Sequence, residues 1–555
     1  MKILISGGGT GGHIYPALSI ADEIKKIVPD VEIIYVGTAA GLERDIVPRY
    51  GYDMRYIEVA GFRRSLSFDT LRSIYLLHKG LKQAKELIAT EKPDLVIGTG
   101  GYVCGPVVYQ AAKAGISTCI QEQNALPGVT NRILARMVKK VLLGYEEAAK
   151  YFKAKGEVVY TGNPIRSEIL LQDRECSYQE LRLDPRLKTV LVFGGSRGAK
   201  SINSAMVDVE LQLSKRNDVQ VLHATGEANY TDHIKALGGK GGVNGNIHVV
   251  PYLHNMPSAL AVADFVVCRA GAIGLAEIMA KGLPAILIPF PFATGNHQEF
   301  NARALENKGA AKVILDKDLN GGILFEQIKE LLDSPDVLQD MHVAALREAK
   351  PRAGRDIADR VMACLFEGYK NFHFVGIGGA GMSAIASVLL KRGYKVQGSD
   401  LNSGEVVSRL IGQGAQVKIG HAAENIEGAD CLVLSTAIHA DNPEVVAAKE
   451  KGIPIFHRSN ILSWMVNAKD GVTVAGAHGK TTTTSMLAFI ASKSGIGATA
   501  IIGGDVAQLG GNAITGDGSY VVAEADESDG SFLKFKSKIA VVTNIEDDHL
   551  DHYGT

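Results

Sequence analysis

Short runs rich in β-branched residues alternate along the chain with longer stretches in which apolar residues recur at helical spacing. Runs that are apolar on both faces predict strands of parallel sheets, because helices cover both sides of such sheets. The sequence therefore predicts an α/β fold throughout. The runs are KILIS, VEIIYVG, DLVIGTG, TVLVFGG, DFVVCRAG, AILIPF, NFHFVGIG, CLVLSTA and IAVVTN.

Four of these predicted strands lead directly into glycine-rich turns. A glycine turn between a strand and a helix lets a ligand approach the backbone, and it aims free N–H groups and the positive helix end at an anion. Four such turns predict four nucleotide-type half-sites, whereas the alternative is four tight turns without a ligand. The turns are GGGTGGH at 7–13, GGSRGA at 194–199, GIGGAG at 376–381 and GAHGKTTT at 476–483.

The length of 555 residues exceeds what one hydrophobic core supports, so the chain divides into several domains. GNPIR at 162–166 predicts a crossover between two lobes, and NFHFVGIGG at 371–379 begins a new strand after a long helix. No low-complexity linker separates the halves, which predicts a tight junction. The predicted domains are 1–160, 161–367, 371–466 and 467–555.

Composition narrows the function classes. Hydrophobic residues make up 46% and charged residues 21%, with a formal net charge of −1, so no excess charge indicates nucleic-acid binding. No apolar run reaches the roughly 18–20 residues that a membrane span needs. The six cysteines are scattered without a CxxC pair, which predicts reduced thiols and argues against a disulfide framework or a zinc site.

Three side chains in the first half suit a nucleoside diphosphate. Two doubly wound lobes that face each other form a cleft at the carboxyl ends of their strands. There Arg166 offers a bidentate charge and Ser196 a hydroxyl beside backbone N–H groups. Glu277, about one turn into a helix, suits a ribose diol. The alternative for Glu277 is an ordinary glutamate favoured by the helix dipole, and spacing alone does not separate the two.

Seven motifs in order resemble the peptidoglycan N-acetylglucosaminyltransferases that act on lipid I. The likeness covers about residues 1–365 and implies two Rossmann-like lobes of the GT-B type, with the acceptor and membrane side on the first and UDP-N-acetylglucosamine on the second. It implies inverting transfer to the 4-hydroxyl of N-acetylmuramate without a cofactor. The motifs are GGGTGGHIYPA, GTGGYVCGP, QEQNALPGVTNR, GNPIR, VFGGSRGAKSIN, CRAGAIGLAE and NHQEFNA.

The resemblance also implies roles for single residues. Arg166 and Ser196 would hold the UDP diphosphate, Glu277 the ribose, and Leu253 would lie by the uracil. The remaining implied contacts are Thr10, Gly11 and Gly12 near the donor and the acceptor diphosphate, Asn124 on the donor sugar, Ala272, Ile273, Gly274, Leu275 and Ala276 along the nucleotide, and Gln298 on the sugar hydroxyls.

Two positions depart from the family pattern. Ala270 stands where the family often has serine, and His297 stands where it often has a second glutamine. Neither change removes a charge that the chemistry needs.

The transfer needs a base for the acceptor hydroxyl, and His13 is the first candidate because it follows the glycine loop directly. The alternatives are that His13 only packs or caps at the turn, or that it helps to bind the acceptor. The leaving diphosphate is stabilised by backbone N–H groups and Arg166. No metal is required for the transfer when the protein itself neutralises the diphosphate.

The stretch at 61–82 mixes aromatic and aliphatic residues with arginines and lysines, a composition that suits a face lying on an anionic membrane. The family resemblance implies a peripheral enzyme at the cytoplasmic face of the cell membrane. The alternative is an amphipathic helix packed in the lobe, with a solvated basic side.

The second half opens with a GxGxxG pattern at Gly376, Gly378 and Gly381, and Asp400 follows about 20 residues later. That pattern alone favours an NAD-dependent dehydrogenase. The next glycine loop argues against it, because Lys480 and Thr481 are the residues with which a phosphate loop binds ATP phosphates and Mg²⁺. The match is not strict, since valine occupies position 474.

Further motifs resemble the Mur ligases, in particular UDP-N-acetylmuramate:L-alanine ligase, over about 371–555. The likeness implies that the GxGxxG domain binds UDP-N-acetylmuramate, and that an acyl phosphate is attacked by the amine of L-alanine. It implies ATP contacts from Gly476, Ala477, His478, Gly479, Lys480, Thr481 and Thr482, and Mg²⁺ ligands at Thr481, Glu524 and His549. The motifs are GIGGAGMSAIA, STAI, HRSNIL, GAHGKTTTT, AEADESDGSF and NIEDDHLDHYG.

A full ligase of this family continues beyond the metal-binding strand end on which this chain stops. We therefore expect a partial ATPase domain that is inactive as a ligase on its own, and the last 90 or so residues to be the least stable part. The alternative is a non-catalytic docking module for enzymes of the same pathway.

Overall fold

The computed structural model describes residues 1–60, 68–195, 198–238, 245–527 and 530–546. Two compact units account for them. One comprises Lys2–Glu23 and Ile33–Ala358, and the other comprises Met1, Ile24–Glu32 and the chain from Asp359 onward. The first unit holds two parallel sheets, and the second holds one parallel and one mixed sheet. The predicted α/β class with parallel sheets is confirmed.

The first lobe of the first unit is one parallel sheet in the order β3-β2-β1-β4-β5-β6-β7. Its strands are β1 (Lys2–Gly7), β2 (Glu32–Gly37), β3 (Asp53–Tyr56), β4 (Leu95–Gly100), β5 (Ser117–Glu122), β6 (Lys140–Leu143) and β7 (Glu157–Tyr160). Its helices are α1 (Gly11–Ile27), α2 (Glu43–Ile46), α3 (Phe68–Glu91), α4 (Cys104–Lys113) and α5 (Val129–Leu134).

The second lobe repeats this plan in the order β10-β9-β8-β11-β12-β13. Its strands are β8 (Lys188–Phe193), β9 (Val219–Ala224), β10 (Ile247–Val250), β11 (Phe265–Cys268), β12 (Ala285–Leu287) and β13 (Ala311–Val313). The helices are α6 (Ser167–Leu171), α7 (Arg174–Leu181), α8 (Lys200–Leu213), α9 (Glu227–Ala236), α10 (Met256–Val262), α11 (Ala272–Ala280), α12 (His297–Asn307), α13 (Gly321–Asp333), α14 (Pro335–Glu348) and α15 (Ala353–Phe366).

The second unit begins with a parallel sheet in the order β16-β15-β14-β17-β18. Its strands are β14 (Asn371–Val375), β15 (Lys395–Asp400), β16 (Gln416–Ile419), β17 (Cys431–Leu434) and β18 (Ile455–His457), with helices α16 (Ala380–Lys391), α17 (Glu405–Gly412), α18 (Pro443–Lys451) and α19 (Arg458–Asn467).

The last sheet has the order β21-β20-β22-β19-β23, and only its β20–β21 pair is antiparallel among the described residues. Its elements are β19 (Asp470–Ala475), α20 (Lys480–Lys493), β20 (Thr499–Val506), β21 (Gly511–Ile514), β22 (Tyr520–Glu524) and β23 (Ser537–Val542).

Local chemistry fixes many of these helix ends. The side chain of Asp173 accepts the backbone N–H of Cys176 at 2.8 Å, and the side chain of Asn320 accepts that of Ile323 at 2.9 Å. Each such cap satisfies a donor that the helix itself leaves open and contributes about 1 kcal/mol. The central strands are buried along their whole length, as the apolar runs predict.

An aromatic cluster surrounds the end of α15 within the second unit. Phe366 packs edge-on against Phe456 at 4.9 Å between ring centroids and lies 5.5 Å from Trp464. Phe372 of β14 stacks on Trp464 at 6.3 Å between ring centroids. Such pairs each contribute about 0.5–1.5 kcal/mol beyond the area that they bury. Residues that the sequence analysis places at a junction therefore form part of a packed core. The predicted domain boundaries themselves stay predictions.

None of the described helices is both long and apolar enough to cross a bilayer. Within the stretch at 61–82, residues 61–67 lie outside the described part. Of the described residues, Ile74 and Tyr75 of α3 are exposed, while Lys79 pairs with Glu58 at 2.7 Å.

Candidate active site

Parallel strands bring the sequence-predicted residues of each lobe to one edge of its sheet. The loop after β1 and the start of α1 carry Thr10 and His13, and the loop after β5 carries Asn124. In the second lobe, α11 follows β11 and carries Glu277, while Arg166 immediately precedes α6. Ligands of doubly wound sheets bind outside such carboxyl ends.

Two neighbours contact Nδ1 of His13. The carbonyl oxygen of Gly8 lies 3.1 Å from it and the hydroxyl of Thr10 lies 3.3 Å from it. The shorter contact is to a carbonyl, which can only accept, and this favours the tautomer with the proton on Nδ1. The Nε2 atom then has a lone pair and can take a proton. Burial lowers the pKa of His13, an effect that the hydrogen bond to Gly8 and the charges of Glu122 and Glu43 partly offset. His13 is thus held neutral near pH 7, as a general base requires.

The first glycine loop differs from the expectation of free amides aimed at an anion. Gly9 N–H donates to Oε2 of Glu43 at 3.1 Å, and Thr38 donates to Oε1 through its N–H at 3.0 Å and its hydroxyl at 2.9 Å. Glu43 is fully buried. A carboxylate of the chain itself therefore accepts the amide of Gly9, one of the loop amides that the sequence predicts to be free.

Asn124 is oriented by a second buried carboxylate. Oε1 of Glu122 accepts the backbone N–H of Asn124 at 3.0 Å and its side-chain amide at 3.2 Å. Oε2 accepts from Gly128 N–H at 3.1 Å and from Asn131 at 2.9 Å. Four donors converge on one side chain, so Glu122 fixes the loop that presents Asn124.

Asn301 joins the two lobes. Its Oδ1 accepts Ala125 N–H at 2.9 Å, and its Nδ2 lies 3.2 Å from both the side-chain oxygen of Asn124 and the carbonyl of Ala270. Gln298, on the same helix, accepts Ala270 N–H at 3.2 Å and Phe290 N–H at 3.0 Å through Oε1. The oxygen of Gln298 is therefore fixed, which leaves its amide N–H groups to donate to a ligand.

Arg166 and Glu277 form a bidentate ion pair. Arg166 Nε donates to Oε1 at 2.8 Å, and Nη2 donates to Oε2 at 3.1 Å. The Glu277 side chain is 8% exposed and that of Arg166 38%. Burial opposes the charge on Arg166, but the contact with Glu277 raises its pKa overall. Two residues that the sequence analysis assigns to one nucleotide are thus adjacent.

The other predicted positions are distributed around this pair. Ala272–Ala276 form the first turns of α11, and Leu253 packs partly buried against the core of the second lobe. Ser196 lies outside the described residues. Of the two departures, Ala270 is buried, and half-buried His297 has its Nδ1 2.9 Å from the carbonyl oxygen of Thr294.

A buried cluster behind the second glycine loop was not predicted. Glu210 lies 2.7 Å from His223 through one oxygen and 2.7 Å from His233 through the other, and His223 Nε2 lies 3.2 Å from Oδ1 of Asn203. Asn203 donates in turn to the carbonyl of Thr225 at 2.8 Å. These distances are those of hydrogen bonds, and they anchor α8 directly after the loop.

In the second unit, the phosphate-loop lysine is engaged by its own loop. Lys480 Nζ donates to the carbonyl of Gly476 at 2.7 Å, to that of Ala477 at 3.3 Å and to Glu527 at 2.6 Å. Three donors of the ammonium group thus meet three acceptors. ATP phosphates have to replace some of these contacts.

Two of the predicted Mg²⁺ ligands lie together. Thr481 Oγ1 donates to Oε2 of Glu524 at 3.2 Å, and Oε1 of Glu524 accepts Gly503 N–H at 2.8 Å. A hydroxyl and a carboxylate oxygen at this separation suit the hard ion Mg²⁺. The third predicted ligand, His549, lies outside the described residues. Beside them is a cavity of about 330 Å³, whose lining includes Gly379, Arg458 and Lys480.

The GxGxxG loop also differs from the expectation of free amides. Gly378 N–H donates to Oδ2 of Asp400 at 2.8 Å, and Asn402 N–H donates to Oδ1 at 3.1 Å. The acidic residue that would bind a ribose in a dehydrogenase therefore closes its own loop.

Four family models match this chain, two in each half. Residues 3–143 match the glycosyltransferase family 28 N-terminal domain, and 189–360 match the glycosyltransferase family 28 C-terminal domain. Residues 371–470 match the Mur ligase family, catalytic domain, and 474–555 match the Mur ligase middle domain.

One similar protein is a UDP-N-acetylglucosamine--N-acetylmuramyl-(pentapeptide) pyrophosphoryl-undecaprenol N-acetylglucosamine transferase of Acetivibrio thermocellus. It is 50% identical over 341 residues, which are 61% of this chain and 92% of the relative. The crystal structure of Acinetobacter baumannii MurG is 28% identical, with a TM-score of 0.54 over 65% of this chain and 99% of that one.

The second half has its own similar structure, the UDP-N-acetylmuramate-alanine ligase MurC of Thermotoga maritima. It is 36% identical over 33% of this chain and has a TM-score of 0.32; the match spans 44% of that ligase. The relatives of the first half are matched over nearly their whole length. The chain therefore belongs to the family of UDP-N-acetylglucosamine--N-acetylmuramyl-(pentapeptide) pyrophosphoryl-undecaprenol N-acetylglucosamine transferases, followed by Mur ligase domains.

Proposed function

We propose that the first half transfers N-acetylglucosamine from UDP-N-acetylglucosamine to the 4-hydroxyl of N-acetylmuramate in lipid I. The observation that carries this proposal is the ion pair between Arg166 and Glu277 of α11, which suits a uridine diphosphate. In the reaction the acceptor oxygen bonds to the anomeric carbon with inversion as the bond to the diphosphate breaks. The hydroxyl proton goes to the base, and UDP leaves.

The ion pair can persist while the nucleotide binds. Each oxygen of Glu277 has a second lone pair, so the carboxylate can accept two ribose hydroxyls while Arg166 holds it. Nη1 of Arg166 makes no hydrogen bond to the described residues and can reach a phosphate oxygen. The N-terminus of α11 adds positive potential for the leaving group.

The sugar would lie between Asn124 and Gln298. Asn124 keeps one amide hydrogen and one oxygen lone pair for a ligand, since Glu122 and Asn301 take the others. Gln298 donates through Nε2, because backbone N–H groups fix its oxygen. His13, with its proton on Nδ1, receives the acceptor proton at Nε2. Thr10, Gly11 and Gly12, beside His13, face the two diphosphates.

We place this unit at the cytoplasmic face of the membrane as a peripheral enzyme that needs no cofactor. Exposed Ile74 and Tyr75 on α3 support contact with lipid, and the polyprenyl acceptor resides there. Anionic lipid would attract the basic residues of the stretch at 61–82.

For the second half we propose that ATP binds at 476–482 with Mg²⁺ on Thr481, Glu524 and His549, and that UDP-N-acetylmuramate binds at the GxGxxG domain. The adjacent Thr481 and Glu524 and the cavity beside Lys480 support this. The metal would neutralise phosphate charge, while Lys480 orients the phosphates. Two statements about this half stay predictions: that it is inactive as a ligase on its own, and the alternative that it is a docking module for enzymes of the same pathway.

Release of UDP from UDP-N-acetylglucosamine in the presence of a lipid I analogue tests the first proposal. We expect turnover that depends on both substrates, and its absence in the folded chain would refute the transfer. Titration with ATP and Mg²⁺ tests the second half. ATP-dependent addition of alanine to UDP-N-acetylmuramate by this chain would refute the predicted inactivity.

A further inference from the structure

Glu43 is the most completely enclosed charged group near the proposed base. Its side chain lies under the first glycine loop, where three donors converge on it: Gly9 N–H, Thr38 N–H and the Thr38 hydroxyl. All three partners donate, which is the arrangement that an ionised carboxylate requires. Among the described residues, no lysine or arginine forms an ion pair with it.

Three glycines make room for this side chain. A methyl group on Gly8 would lie 2.6 Å from Oε1 of Glu43, and one on Gly37 would lie 2.5 Å from its Cγ. A methyl group on Gly41 would also collide with the carboxylate. Side chains at these glycines are therefore excluded by the carboxylate and not by a ligand.

The carboxylate is coupled to His13 through the loop. Glu43 holds Gly9, and the preceding carbonyl of Gly8 accepts the Nδ1–H of His13. A second anchor is the hydroxyl of Tyr35, which donates to the carbonyl of Gly7 at 2.6 Å. If Glu43 released Gly9, the Gly8 carbonyl would be free to turn away, and the imidazole would lose the contact that fixes its tautomer.

We propose that Glu43 is a positioning residue for glycosyl transfer: it holds the loop at Gly8 and Gly9 so that His13 presents an unprotonated Nε2 to the acceptor hydroxyl. This inference rests on the proposed function. Nothing in it requires Glu43 to touch either substrate.

Glu43→Gln is the direct test. Gln has the same shape, but its NH₂ group would face one of the N–H donors, so either Gly9 or Thr38 loses its acceptor. We expect kcat to fall about 10–100-fold, since a misplacement of about 1 Å costs rate on this scale. The KM for UDP-N-acetylglucosamine should stay near the wild-type value, because its proposed ligands lie mostly on the second lobe.

The matched control is Glu91→Gln. Glu91 is a largely buried carboxylate of the same lobe that accepts from Lys2 and Arg55, both at 2.8 Å. We expect wild-type kcat from this variant. A double variant with His13→Ala separates positioning from general damage: Glu43→Gln should add little to the loss that His13→Ala causes alone. Full additivity, or wild-type kcat in folded Glu43→Gln, would overturn the proposal.

The pH profile gives a second readout. The titratable groups that act on His13 are Glu43 of α2, Glu122 at the end of β5 and His297 of the second lobe. Glu43 and Glu122 favour the imidazolium, and His297 disfavours it. Removal of the Glu43 charge should therefore move the acid limb of kcat to lower pH. An unmoved or raised limb would contradict the proposal.

A third measurement does not depend on turnover. The ¹⁵N shifts of His13, assigned with the His13→Ala variant, report which ring nitrogen carries the proton. We expect Nδ1–H in the wild type and a mixture of tautomers in Glu43→Gln. If that variant does not fold, Thr38→Val removes one of the three donors and should show a smaller loss of kcat and tautomer purity; no change in either would overturn the inference. Failure of UDP release in the wild type would instead refute the proposed function.

Discussion

The glycine loops at 7–13 and 476–483 look alike in sequence, but the chain itself satisfies them in different ways. In the first, the buried carboxylate of Glu43 accepts the amide of Gly9, and the neighbouring carbonyl of Gly8 contacts His13. In the second, carboxylates contact the side chains of Lys480 and Thr481, and the loop amide of His478 donates to the neutral side chain of Asn544 at 2.9 Å. A carboxylate on the backbone supports the loop itself, whereas carboxylates on the side chains hold the groups that would bind phosphate and metal. The group that accepts a hydrogen bond from the loop backbone therefore distinguishes the two loops better than their number of glycines does.

The largest effect should come from the histidine that the first loop supports. We expect His13→Ala to lower kcat about 10²–10⁴-fold, the usual contribution of a general base, with little change in KM for the donor. Steady-state release of UDP measures both. The control is His439→Ala, which removes an exposed histidine of the other unit. Unchanged kcat in His13→Ala would show that His13 is not the general base. The first loop would then have no catalytic residue to support, and the difference from the second loop would disappear.

The next largest effect concerns the second loop. Lys480→Ala should weaken ATP binding about 100-fold, because it deletes the charge that meets the phosphates. Isothermal titration with ATP and Mg²⁺ measures the change. Lys493→Ala, which removes a lysine at the far end of the same helix, should bind like the wild type. If Lys480→Ala bound ATP with wild-type affinity, the second loop would resemble the first in only supporting neighbouring residues.

A smaller effect is expected at the predicted metal ligands. Glu524→Gln keeps the size of the side chain but removes the charge that Mg²⁺ would neutralise, so the Mg²⁺ dependence of ATP binding should weaken about tenfold. Titration of ATP at several Mg²⁺ concentrations tests this. The control is Asp517→Asn, in the connection between β21 and β22. This variant should keep the wild-type Mg²⁺ dependence of ATP binding. A normal dependence in Glu524→Gln would exclude this carboxylate as a ligand.

The smallest effect is on stability. Gly41→Ala forces a methyl group against Glu43 and should lower the free energy of unfolding by about 1–3 kcal/mol. Gly245→Ala meets nothing within 4 Å and should change it by less than about 0.5 kcal/mol. Thermal unfolding of the two variants side by side gives the comparison. Equal Tm values for the two variants would show that the residues around Glu43 can accommodate the added methyl group.

The sequence predicts the fold well because its main signals are local. Apolar runs and glycine turns specify strands and the edges at which they end. In the structure these edges hold Arg166 beside Glu277 and Thr481 beside Glu524. Family motifs then supplied the roles. Strand order and the antiparallel β21 depend on contacts between distant segments and have no such signal.

The supporting carboxylates were not predicted. Glu43 lies in GLERD and Glu527 in ADESD, stretches whose charge is typical of an exposed surface. Glu43 contacts Gly9, 34 positions away, as well as the nearby Thr38, and Glu527 contacts Lys480, 47 positions away. Gly37 and Gly41, which lie on either side of Thr38, were the available hint, because small residues on both sides of a turn leave space for a side chain. Asn301 stood inside a recognised motif, but only the interlobe contact reveals what it joins.

The three acceptors around Lys480 also bear on selectivity among anions. A single inorganic phosphate would have to displace Glu527 and loop carbonyls in return for one weak contact. A triphosphate brings several oxygens and its metal at once and can compensate for the same loss. The contacts within the resting loop thus favour a triphosphate over a single phosphate.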